Sequence, residues 1–108
     1  MDVVIERFAV VLVPLDPGVG SEIRKTGPCA VVSPEVIHKH LRTVIVVPIT
    51  SGRTGWPTRV PCQFAGIEGE LALDQIRSVD RHRLVKTLGR LDDATADRLV
   101  DALTALFS

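Results

Sequence analysis

Proline and glycine cut this chain into short β-branched runs, and no long helical pattern stands between consecutive runs. Val10-Val11-Leu12-Val13 stops at Pro14, with Pro17, Gly18 and Gly20 following, which predicts a strand running into a loop over residues 15–27. Pro28 opens Cys29-Ala30-Val31-Val32-Ser33 and Pro34 closes it. A proline at a strand's first residue is tolerated because no ladder donor is yet needed there. Residues 35–41 predict a short polar crossing with one helical turn, and Thr43-Val44-Ile45-Val46-Val47 is the clearest strand, ended by Pro48. Residues 50–57, with Gly52, Gly55 and Pro57, read as a loop. Apolar and polar positions then alternate over residues 58–62 and 70–73, which predicts a β-hairpin with a longer loop at Phe64-Ala65-Gly66-Ile67-Glu68-Gly69. Ile76 and Val79 continue as an irregular edge, and residues 84–91 add a last short strand. Strands joined in sequence without helical crossovers favour an antiparallel, partly closed barrel over a βαβ sheet.

The period changes at the C-terminus. Ala96, Leu99, Val100, Leu103, Leu106 and Phe107 recur at helical spacing and predict an amphipathic helix that closes one end of the barrel. Asp92 or Asp93 can cap its start. With 108 residues, no internal repeat and no composition break, residues 1–108 are expected to form a single domain.

Charge narrows the function. The 13 basic and 13 acidic residues balance, so any nucleic-acid contact must come from a local patch rather than bulk attraction. Cys29 and Cys62 have apolar neighbours and no CxxC spacing, which predicts two buried thiols. His38, His40 and His82 lack partners at useful spacing and are expected at the surface, and no metal site is expected. The apolar runs are far too short to span a bilayer, and the start of the chain, with Asp2 and Glu6, does not resemble a signal peptide; a cytoplasmic protein without membrane contact is the expectation.

Motifs carry the reading further. The segment Leu15-Asp16-Pro17-Gly18-Val19-Gly20-Ser21-Glu22-Ile23-Arg24-Lys25-Thr26 resembles the "LDPxxGSExxKTRP" loop of the MazF/PemK toxins, and Pro28-Cys29-Ala30-Val31-Val32-Ser33-Pro34 follows at the family's distance. Val46-Val47-Pro48-Ile49-Thr50-Ser51 is similar to "VxPxTS", and Leu73-Asp74-Gln75-Ile76-Arg77-Ser78-Val79-Asp80 to "LDQIRTVD". Arg83-Leu84 and Leu88-Gly89-Arg90-Leu91 match as well. These motifs keep the family's order from Val10 to Leu91.

The resemblance implies an SH3-like antiparallel barrel of the PemK/CcdB kind with a C-terminal helix. It also implies a homodimer, a MazE-like cognate antitoxin as partner, and cleavage of single-stranded RNA at short sequences without a metal or other cofactor. In such toxins the substrate's own 2′-hydroxyl attacks the adjacent phosphate. The site must therefore accept that proton, stabilise the phosphorane's charge and assist the departing 5′-oxygen. The family pairs a threonine, here Thr50, with the arginine of "TRP", where this chain has Gly27. A second arginine used by some plasmid-borne relatives corresponds to Ala72. Gly27 can be a turn glycine, a natural loss of activity, or an inactivating replacement made or selected because a toxic ribonuclease is hard to produce. The last is preferred, since the catalytic position changes while the loop around it keeps the pattern.

Glu22 of "GSE" is a candidate proton acceptor, with a loop-ordering hydrogen bond as the equal alternative. Arg24, Lys25, Ser51 and Arg53 are candidates for phosphate contacts, Trp56 for stacking on a base or packing beside Pro57, and Asp74 and Gln75 for a base edge or for the fold itself. Two other classes stay open: a toxin on the same barrel that binds a protein target, as the gyrase-poisoning CcdB relatives do, and a regulatory module that binds antitoxin without catalysis.

Overall fold

The computed structural model describes residues 5–15, Gly20, Glu22 and 25–108, with Ile67 described by its backbone alone. Seven strands appear in chain order: β1 (Ala9–Val13), β2 (Gly27–Val31), β3 (Thr43–Ser51), β4 (Arg59–Phe64), β5 (Ile67–Ala72), β6 (Arg77–Asp80) and β7 (Lys86–Arg90). A one-turn helix α1 (Glu35–His38) precedes β3, and α2 (Asp93–Leu106) ends the chain. The strands form a curled antiparallel sheet in the order β4-β5-β3-β2-β1-β7, with β6 paired to β3 off that path. The fold is mainly β with a C-terminal helix.

The unbroken apolar run of β1 has a physical reason. Ala9, Val11 and Val13 point into one core with Ile5, Leu15, Cys29, Val31, Val44, Val46 and Val79, while Val10 points into another with Ala30, Val47, Val60, Leu71 and Leu73. A strand buried on both faces has no solvent side, so it does not alternate. Helix α2 covers the second core through the fully buried Leu99, a side chain whose burial contributes roughly 1.5–3 kcal/mol, with Ala102 and Leu103 packed beside it. Asp92 caps this helix, accepting from the Thr95 N–H at 2.7 Å. The end strands of the path approach each other at one point: a Cβ at Gly89 of β7 would lie 3.1 Å from Cζ of Phe64 on β4.

The structure departs from the sequence reading in several places. Pro48 does not end β3, which runs on to Ser51. On one edge β3 pairs with β6 through Val46 and with β5 from Ile49, and Pro48, lacking an N–H, falls in the gap where the partner changes. The β4–β5 hairpin has no long loop: Phe64 pairs with Ile67, and Ala65 and Gly66 form a two-residue turn with φ of 53° and 78°. Positive φ at both central positions is the turn geometry that suits the twist of a hairpin. Strand β2 begins at Gly27, which is paired with Val13 and not part of a loop; of the expected loop, residues 16–19, 21, 23 and 24 lie outside the described residues.

His38 is buried, against the expectation of a surface site. Its Nδ1 donates to the Ile5 carbonyl at 2.9 Å, its Nε2 lies 2.6 Å from Ser33 Oγ, and that hydroxyl accepts from the Ile45 N–H at 3.0 Å. Cys29 and Cys62 are buried free thiols, as expected. The apolar stripe of α2 is buried only in its first turns, since Leu106 and Phe107 are exposed.

Candidate functional site

Strand β3 carries Thr50 to the rim of the sheet, opposite Glu70 of β5, where its hydroxyl donates to the Glu70 carbonyl at 3.4 Å. The two strands approach so closely because residue 69 is glycine: a Cβ there would fall 2.3 Å from the Thr50 carbonyl oxygen. Thr50 and Ser51 line a groove of about 190 Å³ together with Pro28, Ile49, Phe64, Glu68 and Gly69.

On the other side of Thr50 lies β2. The ladder pairs Val31 with Val46, Ala30 with Val47 and Cys29 with Pro48. The same register, continued by two residues, sets Gly27 in line with Thr50. The two positions that the family resemblance pairs therefore sit on adjacent strands at the same rim.

Gly27 does not need to be glycine for the backbone's sake. Its φ lies outside the left-handed region, and a Cβ built on it would meet nothing nearer than the Lys25 carbonyl oxygen at 4.0 Å. Ala72 differs. It is fully buried in β5, whereas position 27 has open space for a side chain.

The loop over residues 52–58 is tied down by a charge network. Arg59 Nε donates to Asp74 Oδ1 at 2.6 Å and Nη2 to Oδ2 at 3.1 Å, while Nη1 reaches Glu70 Oε1 at 3.2 Å. The Glu70 carboxylate is buried and accepts from the Thr54 N–H at 3.1 Å, and the Thr54 hydroxyl accepts from the Trp56 N–H at 3.2 Å. The Arg59 guanidinium lies 4.8 Å from the centre of the Trp56 ring, which leaves that indole 55% exposed beside the loop. The Arg59 hydrogen bond holds the Asp74 carboxyl down at about 2, against the upward push of burial. Burial also pushes Glu70 up, but the hydrogen bonds from Thr54 and Arg59 outweigh it and leave its pKa lowered.

The predicted site residues therefore divide. Thr50 and Ser51 form the groove, with Gly27 at its side. Trp56 is presented on the surface, and Arg53 stands on the same loop with Nη2 donating to the Cys62 carbonyl at 3.4 Å. Glu22 and Lys25 are exposed on the segment leading into β2. Arg24 lies outside the described residues. Asp74 is engaged by Arg59 and by the Thr58 hydroxyl, and the Gln75 amide donates to it at 3.5 Å. That engagement is what the alternative in which the Asp-Gln pair serves the fold would require, and Asp74 also remains exposed at the surface.

Glu70 was not apparent as a site element in the sequence. The signal lies in the hairpin register: Arg59 faces Ala72 and Glu70 faces Pro61, so the opposite charges are diagonal neighbours across β4 and β5. Two further motif residues hold the chain where it leaves β1: Arg77 donates to the Leu15 carbonyl at 3.0 Å and Arg83 to the Pro14 carbonyl. Among the described residues, no three His, Cys, Asp or Glu side chains are grouped to hold a metal ion.

The chain is similar to known proteins along nearly its whole length. The model of the family described as "PemK-like, MazF-like toxin of type II toxin-antitoxin system" matches residues 6–107. The endoribonuclease toxin ChpB of Escherichia coli K12 is 30% identical over 107 residues, covering 94% of this chain and 92% of its own. Endoribonuclease EndoA of Bacillus subtilis is 31% identical, covering 93% and 91%. Among solved structures, MazF from Deinococcus radiodurans superimposes with a TM-score of 0.85 at 25% identity, covering 98% of both chains. A mycobacterial endoribonuclease in complex with its cognate antitoxin gives 0.78 at 25% identity, covering 94% and 93%. The family match spans the groove, the loop network and the capping helix alike, and the chain belongs to the PemK-like, MazF-like toxins of type II toxin–antitoxin systems.

Proposed function

We propose that this chain is the toxin of a toxin–antitoxin pair: an endoribonuclease that cuts single-stranded RNA at short sequences through the substrate's 2′-hydroxyl. In this chain the activity is weakened by Gly27. The observation that carries the proposal is the alignment of Thr50 and Gly27 on adjacent strands at one rim of the sheet, in a chain whose relatives are named endoribonucleases.

The chemistry follows from the groups at hand. The Thr50 hydroxyl can turn from the Glu70 carbonyl, a long contact at 3.4 Å, to a non-bridging phosphate oxygen. Glu22, exposed on the segment before β2, is suited to accept the 2′-hydroxyl proton. Lys25 and Arg53 supply positive charge to flanking phosphates, with Arg24 proposed to do the same from the segment outside the description, and Trp56 offers a face for a base. No guanidinium stands at position 27 to neutralise the pentavalent phosphorane. The products are a 2′,3′-cyclic phosphate and a 5′-hydroxyl.

The functional unit is proposed to be a homodimer held inactive by a MazE-like antitoxin. A mycobacterial relative forms a complex with its cognate antitoxin, which supports the pairing. The exposed edges of β4 and β7 and the uncovered Leu106 and Phe107 supply surface for protein contacts.

The test is product chemistry on a single-stranded RNA in the presence of a metal chelator. Prolonged incubation is expected to give slow cleavage with 2′,3′-cyclic phosphate ends. Cleavage that requires a divalent ion, or products with 3′-hydroxyl ends, would refute the mechanism.

A further inference from the structure

The groove beside Thr50 has a half that phosphate chemistry does not use. It is lined by Pro28, Ile49, the half-buried Phe64 and the exposed Glu68. The Phe64 ring is crowded by β7. Gly89 approaches it so closely that an added Cβ would lie 3.1 Å from Cζ and 3.3 Å from Cε1, and its φ of +156° favours glycine. At about 190 Å³ the groove is smaller than the roughly 300–1,000 Å³ that hold drug-sized ligands, so it suits a single ring system.

We infer that this groove is a one-base specificity pocket that selects guanine next to the scissile phosphate, with Phe64 as its stacking wall and Glu68 as its reader. The inference rests on the reading of the chain as an RNA-cleaving toxin. Unstacked bases of single-stranded RNA are read by stacking on aromatic rings and by hydrogen bonds to their edges. A carboxylate only accepts hydrogen bonds and repels phosphate, so a backbone anion is excluded from the Glu68 rim while a neutral base edge is not. Guanine alone offers two adjacent donors on one edge, N1–H and the N2 amino group, matching the two carboxylate oxygens as a fork. Adenine and cytosine set one amino donor beside a ring-nitrogen acceptor. Uracil flanks its N–H with carbonyl oxygens, which would face the negative charge.

The experiment is fluorescence anisotropy with a labelled uridine hexamer and its three variants carrying a single guanosine, adenosine or cytidine at the third position. The guanosine probe is expected to bind about tenfold tighter than the all-uridine probe, near the low end of what a bidentate base contact discriminates. Glu68→Gln, at an exposed strand position, should erase that preference, with the all-uridine probe bound no more weakly than by the unaltered chain because the charge facing its carbonyl oxygens is gone. Phe64→Leu should weaken all four probes. Equal binding of the four probes would overturn the pocket and leave the RNA reading standing; no binding of any probe would overturn both. A guanosine preference that survives Glu68→Gln would overturn the assignment of the reader.

Discussion

Placing arginine at position 27 tests both the geometry and the chemistry of the site. The structure predicts that Gly27→Arg is accommodated, because the nearest heavy atom to the new Cβ is 4.0 Å away and the backbone is in a region open to any residue. Gly27 is a paired strand residue, so replacing it removes backbone freedom from the unfolded chain and gains about 0.5 kcal/mol. For a domain of this size that raises the Tm by about 2–4 °C. The catalytic gain is larger. A preorganised donor aimed at developing charge is worth on the order of 100- to 1000-fold in rate, roughly 3–4 kcal/mol. Arginine is suited to this role because its fork of donors matches phosphate oxygens and stays charged at any working pH.

Initial rates on a quenched single-stranded RNA reporter would be compared for the chain as it stands, Gly27→Arg, Gly27→Lys, and Gly27→Arg combined with Thr50→Ala. Arginine should restore cleavage, lysine should restore less because it is a point charge, and loss of the Thr50 hydroxyl should abolish the gain. If the chain as it stands already cleaves at the rate of its Gly27→Arg variant, the role given to position 27 is wrong. A fall in Tm on the same substitution would instead refute the steric argument and leave the catalytic one untouched.

Two further outcomes follow from the network and the close strand contact. Asp74 has its carboxyl held down to about 2 against an ordinary value near 3.8, so its pairing with Arg59 stabilises the fold fully above about pH 4 and is lost as the pH falls through about 2. Acid titration of stability should show about 1–2 kcal/mol of this loss in the unaltered chain, after allowance for solvent screening, and none of it in Asp74→Asn. Gly69→Ala would drive a methyl group against the Thr50 carbonyl at 2.3 Å, contact with backbone that cannot rotate away. Urea unfolding should register a loss of about 3 kcal/mol, and an unchanged midpoint would show that β3 and β5 do not need their close approach.

What the sequence disclosed of this fold depended on how far each signal was local. β-Branched runs and the C-terminal period located the strands and α2, because burial on one or both faces imposes those patterns directly. Pro48 misled because a proline reads as a stop, whereas its missing N–H is harmless where β3 exchanges β6 for β5, a fact of topology rather than of neighbours in sequence. His38 misled for the same reason. Its partners Ile5 and Ser33 lie 33 and 5 residues away, and no spacing rule brings them together. Thr50 and Gly27 were legible only through the family's motifs. The pairing register then supplied what the motifs lacked, a reason for the two to sit side by side.

The arginines bear on why one position is proposed to matter so much in a charge-balanced chain. Arg7, Arg53, Arg77, Arg81 and Arg83 each donate to a backbone carbonyl, of Val32, Cys62, Leu15, His38 and Pro14 respectively. Arg59 is bound to Asp74 and Glu70. These guanidiniums close strand ends and brace loops, and a backbone carbonyl left behind by one of them would lose its partner. Moving any of them but Arg53, whose contact is long at 3.4 Å, to a phosphate would therefore cost stability. Lys25, two residues before Gly27, is exposed and carries charge without a fork. Among the described residues, then, these arginines are committed elsewhere than to the point where the phosphorane's charge is proposed to develop. That is why one added guanidinium at residue 27 is expected to matter more than the net charge of the whole chain.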